Sequence, residues 1–334
     1  MNLHDIKLPP KPKFSENFPI FGQITILVGV LLLIVTLGYK AQIITLLKSK
    51  SSSGTNATVI ENNHPQQETA QLSEQNIIAP SAYVYDLKNE RVLYEKDATT
   101  VRPLASITKL MTALIAHELA PQDKKIAIPL AATMLESASG LKEDELFNRD
   151  SATTYALIAS SNDSAYALAD AVGKTLDPDH PQKAFVTAMN IRAEELELAS
   201  LKFLNPTGLD ISQTEAGAFG NAKDVSLLVK YLLSKYPEMF SISAETTAQI
   251  PNASGNKHQI KNTNQIINQI PTLLGSKTGY TDLAGGNLTL AFDAGYNRPI
   301  IITILGSTYD GRFRDMVTLV KAVRNLLDAE PNAN

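Results

Sequence analysis

Cysteine is absent from the 334-residue chain, and with it go a thiolate nucleophile, thiolate-held metal sites and disulfide bridges. The same absence suits an exported protein. Histidine is scarce, with only His4, His64, His117, His180 and His258, and none stands in a metal-ligand spacing such as His-Glu-x-x-His. No metal or other cofactor is therefore expected, and if the chain is a serine enzyme its base is not expected to be histidine. A block of Lys or Arg is missing too. With 30 Lys and Arg against 34 Asp and Glu, for a net charge of −4, there is no basic stripe to track phosphates, so nucleic acid is not an expected partner.

Charge is absent altogether from residues 18–39, between a short polar tail (residues 1–17) and Lys40. About 22 residues at 1.5 Å each span roughly 33 Å, enough for the hydrocarbon core of a bilayer. This predicts a single transmembrane helix; a cleaved signal peptide fits less well, because its apolar region is shorter and no small-x-small site follows. Three Lys precede the run and Lys40, Lys48 and Lys50 follow it, so the positive-inside rule leaves orientation open. Residues 40–75 turn to Ser, Asn, Gln, Thr and Glu and read as a flexible tether that cannot bury enough apolar surface to offset its ordering entropy.

The folded domain is expected over residues 76–330. Two runs rich in β-branched and aromatic residues, 82–87 and 91–95, flank Lys88-Asn89-Glu90 and predict a hairpin. Helices are predicted at 106–119, 150–159, 163–172, 182–198, 223–236 and 314–327, and late strands at 273–277, 287–293 and 299–305. Strands at both ends with helices between imply an α+β, three-layer fold: a mainly antiparallel sheet built from both ends of the domain, flanked by helices, with a helical subdomain inserted.

The chemistry centres on Ser106-Ile107-Thr108-Lys109 at the head of an apolar helix. Residues three apart share a helical face, so the Lys109 amine can reach the Ser106 hydroxyl and take its proton. The tetrad alone is weak, since Ser139-Gly140-Leu141-Lys142 and Ser254-Gly255-Asn256-Lys257 repeat it. Both copies carry an interior Gly that disfavours helix by about 1 kcal/mol relative to Ala. Two further motifs follow. Ser160-Ser161-Asn162, at the junction of two helices, can turn a hydroxyl and a carboxamide into one cleft, although such residues are also ordinary helix caps. Lys277-Thr278-Gly279, followed by Tyr280, offers a cation and a hydroxyl on a strand whose glycine lets another backbone come close. Asp163 is expected to cap the following helix. Three weak motifs in this order make a strong joint signal.

In this order and company the motifs resemble a serine-type D-alanyl-D-alanine peptidase, a low-molecular-weight penicillin-binding protein. The likeness runs from about residue 77 to residue 327. It includes Arg102-Pro103-Leu104-Ala105 before the tetrad, Gly140-Leu141, Asn205-Pro206-Thr207-Gly208-Leu209 and Gly311-Arg312-Phe313-Arg314-Asp315. Leu104, Asp144 and Ser161 depart from the residues usual at their places in that family. The resemblance implies acyl transfer through a covalent intermediate on Ser106, with Lys109 as base, its pKa depressed by burial and by the Lys277 cation. Ser160 and Lys277 would pass a proton to the leaving amine, and the Ser106 and Tyr280 N–H groups would form an oxyanion hole. Asn162 would hold the peptide, and Thr278 and Arg312 would bind its terminal carboxylate. Implied partners are D-Ala-D-Ala peptides of peptidoglycan and β-lactams as covalent inhibitors.

A class A β-lactamase shares the three motifs but needs a glutamate where Leu201 precedes Leu204-Asn205, so penicillin turnover is not expected. Trimming of stem peptides as a carboxypeptidase is the first expectation and cleavage of cross-links as an endopeptidase the second. A sensor or a non-turnover penicillin-binding module is disfavoured, because only 17 residues precede the apolar run and no motif residue is missing. Because such a substrate lies outside the membrane, the expected topology is single-pass, with the N-terminus cytoplasmic and the catalytic domain extracytoplasmic.

Overall fold

Between Pro299 and Gly306 the chain runs Ile-Ile-Ile-Thr-Ile-Leu, with none of the alternation of a half-exposed strand. Such a run marks a strand buried on both faces. In the computed structural model, which describes residues 71–330, this strand is the middle of the main sheet. Its strands are β1 (Ser81–Asp86), β2 (Arg91–Lys96), β3 (Leu273–Thr281), β4 (Gly285–Asp293) and β5 (Pro299–Ser307), ordered β3-β4-β5-β1-β2 and antiparallel throughout. Thr303 on β5 pairs with Tyr83 on one side and Thr289 on the other.

The longer helices are α1 (Lys109–Leu119), α2 (Arg149–Ile158), α3 (Asn162–Gly173), α4 (Pro181–Glu195), α5 (Ala222–Lys235) and α6 (Gly311–Ala329). Successive residues of β5 serve opposite layers, as strand geometry requires. Ile300, Ile302 and Ile304 pack with Val84, Leu288 and Phe292 against Phe313, Met316, Leu319 and Val323 of α6. Ile301 and Leu305 join Tyr83 and Ala291 in the cluster built by α1 to α5. Three layers result, with the sheet in the middle and its two ends supplied by the two ends of the domain. Caps set the helix starts: Asn148, Ser161 and Asn221 each accept a backbone N–H of the first turn, at 2.7, 3.0 and 2.7 Å.

The hairpin and the late strands lie where periodicity puts them. The predicted helix at 106–119 differs, because residues 105–108 form a 3₁₀ turn and the α-helix starts at Lys109. Short strands were not predicted: Arg102–Pro103, Lys202–Phe203 and Ala218–Gly220 form one small sheet, Lys125–Ala127 pairs with Leu146–Asn148, and Thr247–Pro251 pairs with Lys257–Lys261. Elements of two to five residues are too short for periodicity, and in the last pair only Ile250 and Ile260 are buried. The tail 1–17, the predicted membrane helix 18–39 and residues 40–70 lie outside the described residues. Among those described, no helix is long and apolar enough to cross a membrane.

One charged cluster pins the terminal helix to the sheet. Asp86, at the end of β1, is fully buried and accepts bonds from Arg298 Nη2 at 2.7 Å, Asn89 Nδ2 at 2.9 Å and Arg91 Nε at 3.3 Å. Both arginines also pair with Glu330, just beyond α6. Burial alone would raise the Asp86 pKa; the bonds from Arg298 and Asn89 outweigh it and hold the carboxyl below its ordinary range. Replacing Asp86 with Ala removes the buried acceptor that both guanidinium groups share, leaving them only Glu330, and is expected to cost about 1–3 kcal/mol in denaturant unfolding. The sign with pH follows from the depressed pKa. The contribution is complete above the unfolded carboxyl pKa and is lost as pH falls through the folded one, so the deficit of Asp86→Ala should shrink in acid.

Candidate active site

The nucleophile turn is built by strain and close approach. Ala105 has φ +48°, the left-handed region a side chain seldom adopts, which turns the chain sharply into the 3₁₀ segment. At three residues per turn, positions i and i+3 eclipse, and Lys109 Nζ lies 2.8 Å from Ser106 Oγ. Two backbones wedge this turn from either side. At Gly208, with φ +78°, a Cβ would lie 1.9 Å from the Ala105 carbonyl oxygen. At Gly279 on β3 it would lie 2.8 Å from the carbonyl oxygen of Leu104. Only glycine fits either place.

Lys109 is fully buried, and its amine meets Asn162 Oδ1 at 2.7 Å and the Thr207 carbonyl at 2.7 Å besides the serine. Burial brings its pKa down to about 7, with the Asp163 carboxylate pulling the other way. A neutral amine has two N–H groups and one lone pair. The two fixed acceptors, Asn162 and Thr207, take the N–H groups, which leaves the lone pair facing Ser106 Oγ, positioned to accept its proton. Lys277, on β3, is also buried, donating to Ser160 Oγ at 2.7 Å and to the Thr278 carbonyl at 2.9 Å. Burial first, then the charges of Lys109 and Arg312, hold its pKa well below the ordinary value. The like-charge effect expected on Lys109 thus falls on Lys277.

Ser160 has φ +58° at the bend between α2 and α3, which turns its hydroxyl into the cleft. Asn162 is engaged at both ends of its amide, on Lys109 and, through Nδ2, on the Glu136 carbonyl at 2.9 Å. One N–H and one lone pair remain for a ligand. The cap of α3 is Ser161, not Asp163. Asp163 instead accepts from Ser139 N at 2.9 Å, Ser139 Oγ at 2.6 Å and Leu141 N at 3.2 Å, tying the loop around residue 139 to the base of the site. Arg312 opens α6, with Tyr309 beneath its guanidinium at 4.5 Å, and donates to the Gly279 carbonyl at 2.7 Å. Burial lowers its pKa.

All the predicted site residues converge here. Ser106, Ser160, Asn162, Thr278, Gly279, Tyr280 and Arg312 line one cleft of about 1430 Å³, with Lys109 and Lys277 in its floor. Both look-alike tetrads lie outside helices: Ser139-Gly140 sits on a loop, and Ser254-Gly255 in the turn between Thr247–Pro251 and Lys257–Lys261. Sequence reasoning missed the carbonyls of Thr207 and Glu136, which act through backbone atoms that any residue type carries. It also missed the cleft wall at 262–264. Among the described residues, no three His, Asp or Glu side chains converge as a metal site.

Comparison with known proteins points to one family. A family model described as D-alanyl-D-alanine carboxypeptidase matches residues 66–308. The chain is 31% identical over 236 residues to the D-alanyl-D-alanine carboxypeptidase DacF of Bacillus subtilis, covering 69% of this chain and 58% of that protein. It is 27% identical over 241 residues to a D-alanyl-D-alanine endopeptidase of Escherichia coli, covering 70% and 73%. Among solved structures, the D-alanyl-D-alanine carboxypeptidase of Mycobacterium tuberculosis superimposes with TM-score 0.68 at 24% identity, covering 79% of this chain and 96% of that one. Penicillin-binding protein D2 of Listeria monocytogenes in its ampicillin-bound form gives 0.64 at 28%, covering 75% and 98%.

With Lys109 as base, labelling of Ser106 by a serine-directed sulfonyl fluoride should follow the neutral amine. The rate should rise with pH through a midpoint near 7, where Lys109 loses its proton, and should fall about tenfold per pH unit well below it. Lys109→Arg, which cannot deprotonate, should abolish labelling while leaving the far-UV circular dichroism unchanged.

Proposed function

Because the chain belongs to the D-alanyl-D-alanine carboxypeptidase family, we propose that it is a serine D,D-peptidase acting on peptidoglycan stem peptides, with Ser106 as nucleophile. The observation that carries this reading is the buried Lys109 amine, 2.8 Å from Ser106 Oγ with its pKa near 7. In the first step Lys109 Nζ accepts the Ser106 proton as Oγ attacks the carbonyl joining two D-alanines. The oxyanion takes bonds from the Ser106 and Tyr280 N–H groups, worth about 2.7–4 kcal/mol per donor in other enzymes. Strand alternation supports Tyr280 in that role. The Ser276 N–H leaves the edge of β3 away from β4 to meet Ser243 Oγ at 2.9 Å, so the Tyr280 N–H, four residues on, leaves by the same edge.

Collapse of the tetrahedral intermediate breaks the C–N bond. Its nitrogen leaves as D-alanine's amine, taking a proton from the Ser160 hydroxyl, which is replenished from Lys277 at 2.7 Å. Water then attacks the ester, its proton passing through Ser160 to restore the one that Lys277 gave up, and the C–O bond breaks as Ser106 Oγ takes back the proton held by Lys109. Asn162 would use its remaining amide hydrogen and lone pair on the peptide backbone, and Thr278 with Arg312 would meet the terminal carboxylate. A β-lactam places its strained amide in the same position, and ampicillin is bound in the Listeria protein's structure. Penicillin should therefore acylate Ser106 in this chain.

Cross-link cleavage is the second reading, favoured by the size of the cleft. It extends past the catalytic groups to Gln265 and Asn268 on one wall and to Ser212 on the other, room for a branched peptide. The proposed location is the outer face of the membrane, with residues 18–39 as the anchor, because peptidoglycan lies there.

Given a D-Ala-D-Ala pentapeptide and a cross-linked dimer, the full-length chain should release D-alanine from the first or separate the second, with products read by mass spectrometry. Ser106→Ala should remove both activities and the penicillin adduct, and Lys277→Ala should slow acylation by at least about 10²-fold. Absence of adduct and of both products in the unaltered chain would overturn the assignment. In intact spheroplasts, added protease should digest the catalytic domain; its protection would contradict the outward orientation.

A further inference from the structure

The segment Asn262-Thr263-Asn264 lies between the hairpin ending at Lys261 and β3, and its two asparagines are committed to structure. Asn262, 8% exposed, donates from Nδ2 to the Ser243 and Glu245 carbonyls, both at 2.9 Å, and accepts the Asn264 N–H at 2.9 Å. Asn264, 3% exposed, donates to Ser276 Oγ on β3 at 3.0 Å and accepts the Ile266 N–H at 3.1 Å. Thr263 between them donates its own N–H to the Ile158 carbonyl at 3.2 Å, two residues before Ser160. Its backbone is thus held from both the helix side and the strand side of the site. What is left free is its side chain, which lines the cleft with Oγ1 2.6 Å from Thr278 Oγ1.

Resting on the reading of the preceding section, we infer that Thr263 is a positioning residue that aims the Thr278 hydroxyl at the terminal carboxylate of the substrate. Each hydroxyl has one proton, and the short contact uses one of the two. When Thr263 donates to Thr278 Oγ1, the remaining proton on Thr278 is free to point into the cleft. A carboxylate arriving there fixes that direction, because a donor chain ending on an anion polarises each bond in turn. Thr278 is 4% exposed and lines the cleft, so without the partner its hydroxyl would lose its one side-chain contact and its rotor would be unconstrained. Arg312 brings positive charge to the same end of the cleft, but it already spends one N–H on Gly279. The hydroxyl pair supplies the directional contact that tells a carboxylate from a neutral amide.

Binding separates this role from chemistry. In the full-length Ser106→Ala chain, which cannot turn substrate over, calorimetric titration compares an acyl-D-Ala-D-Ala peptide with its C-terminal carboxamide. The carboxylate form should bind more tightly. Adding Thr263→Val, which keeps the shape and removes the hydroxyl, should weaken the carboxylate form about tenfold and the carboxamide less than about twofold. Thr263→Ser should restore the preference. A Thr263→Val protein that keeps the preference, or that weakens both ligands equally as a merely structural defect would, overturns the inference while leaving the peptidase reading intact. Failure of the Ser106→Ala chain to bind either ligand overturns both.

Discussion

Everything in the site hangs on one ammonium group kept out of water. An amine in water would hold its proton throughout the neutral range; burial brings the Lys109 pKa down to about 7, so that a large share of the amine is neutral there. Lys109 has two fixed acceptors, Asn162 Oδ1 and the Thr207 carbonyl, and one reactive neighbour, Ser106. The remaining architecture can be seen as what is needed to place those acceptors. Helix α3 supplies the first and the loop at 205–210 the second, and the 3₁₀ turn brings the serine under the amine.

The loop is itself well determined. Asn205 Oδ1 gathers the Thr207 N–H, the Thr207 hydroxyl and the Gly208 N–H, at 3.1, 2.9 and 2.7 Å, which folds the loop on itself and aims the Thr207 carbonyl inward. Asp210 then ties the loop to the end of β3, accepting from Thr281 Oγ1 at 3.0 Å and Leu283 N at 3.3 Å. The nucleophile turn, the loop and the strand therefore form a closed ring of contacts, with Gly208 and Gly279 as the two places where backbones touch the turn. A shift of any one member displaces Ser106 relative to Lys109, its proposed base, or to the Tyr280 N–H, its proposed oxyanion donor. Geometry of this kind tolerates little error, since a misplacement of about 1 Å can cost about 10²-fold in rate.

The side chains of this site were legible in the sequence because their types are chemically restrictive and their spacings short. Ser106 and Lys109 are three apart, Ser160 and Asn162 two apart, and the order of the motifs narrowed the choice further. Periodicity also found the five strands of the main sheet and the longer helices, since each buries a stripe long enough to repeat. Contributions made by backbone carbonyls, such as those of Thr207 and Glu136, left no mark, because any residue carries one. The 3₁₀ start of the nucleophile segment was hidden for a related reason. Its helical composition is real, but close packing of Gly208 and Gly279 against the turn overrides local propensity. Thr263 escaped notice because a threonine between asparagines reads as loop until the contact with Thr278 is seen.

β3 is the outermost strand of its sheet, paired with β4 on one side only. An unpaired edge will accept any strand, including one from a second copy of the same protein. Here the exposure is rationed. The Ser276 N–H at the start of the strand is taken by Ser243, and the nucleophile turn presses on Gly279, so open pairing positions are confined to the few residues beside the cleft. A peptide with the right shape can enter between those walls, whereas a long flat strand cannot be extended past them. The packing that aims the serine also blunts this edge against pairing with a second copy.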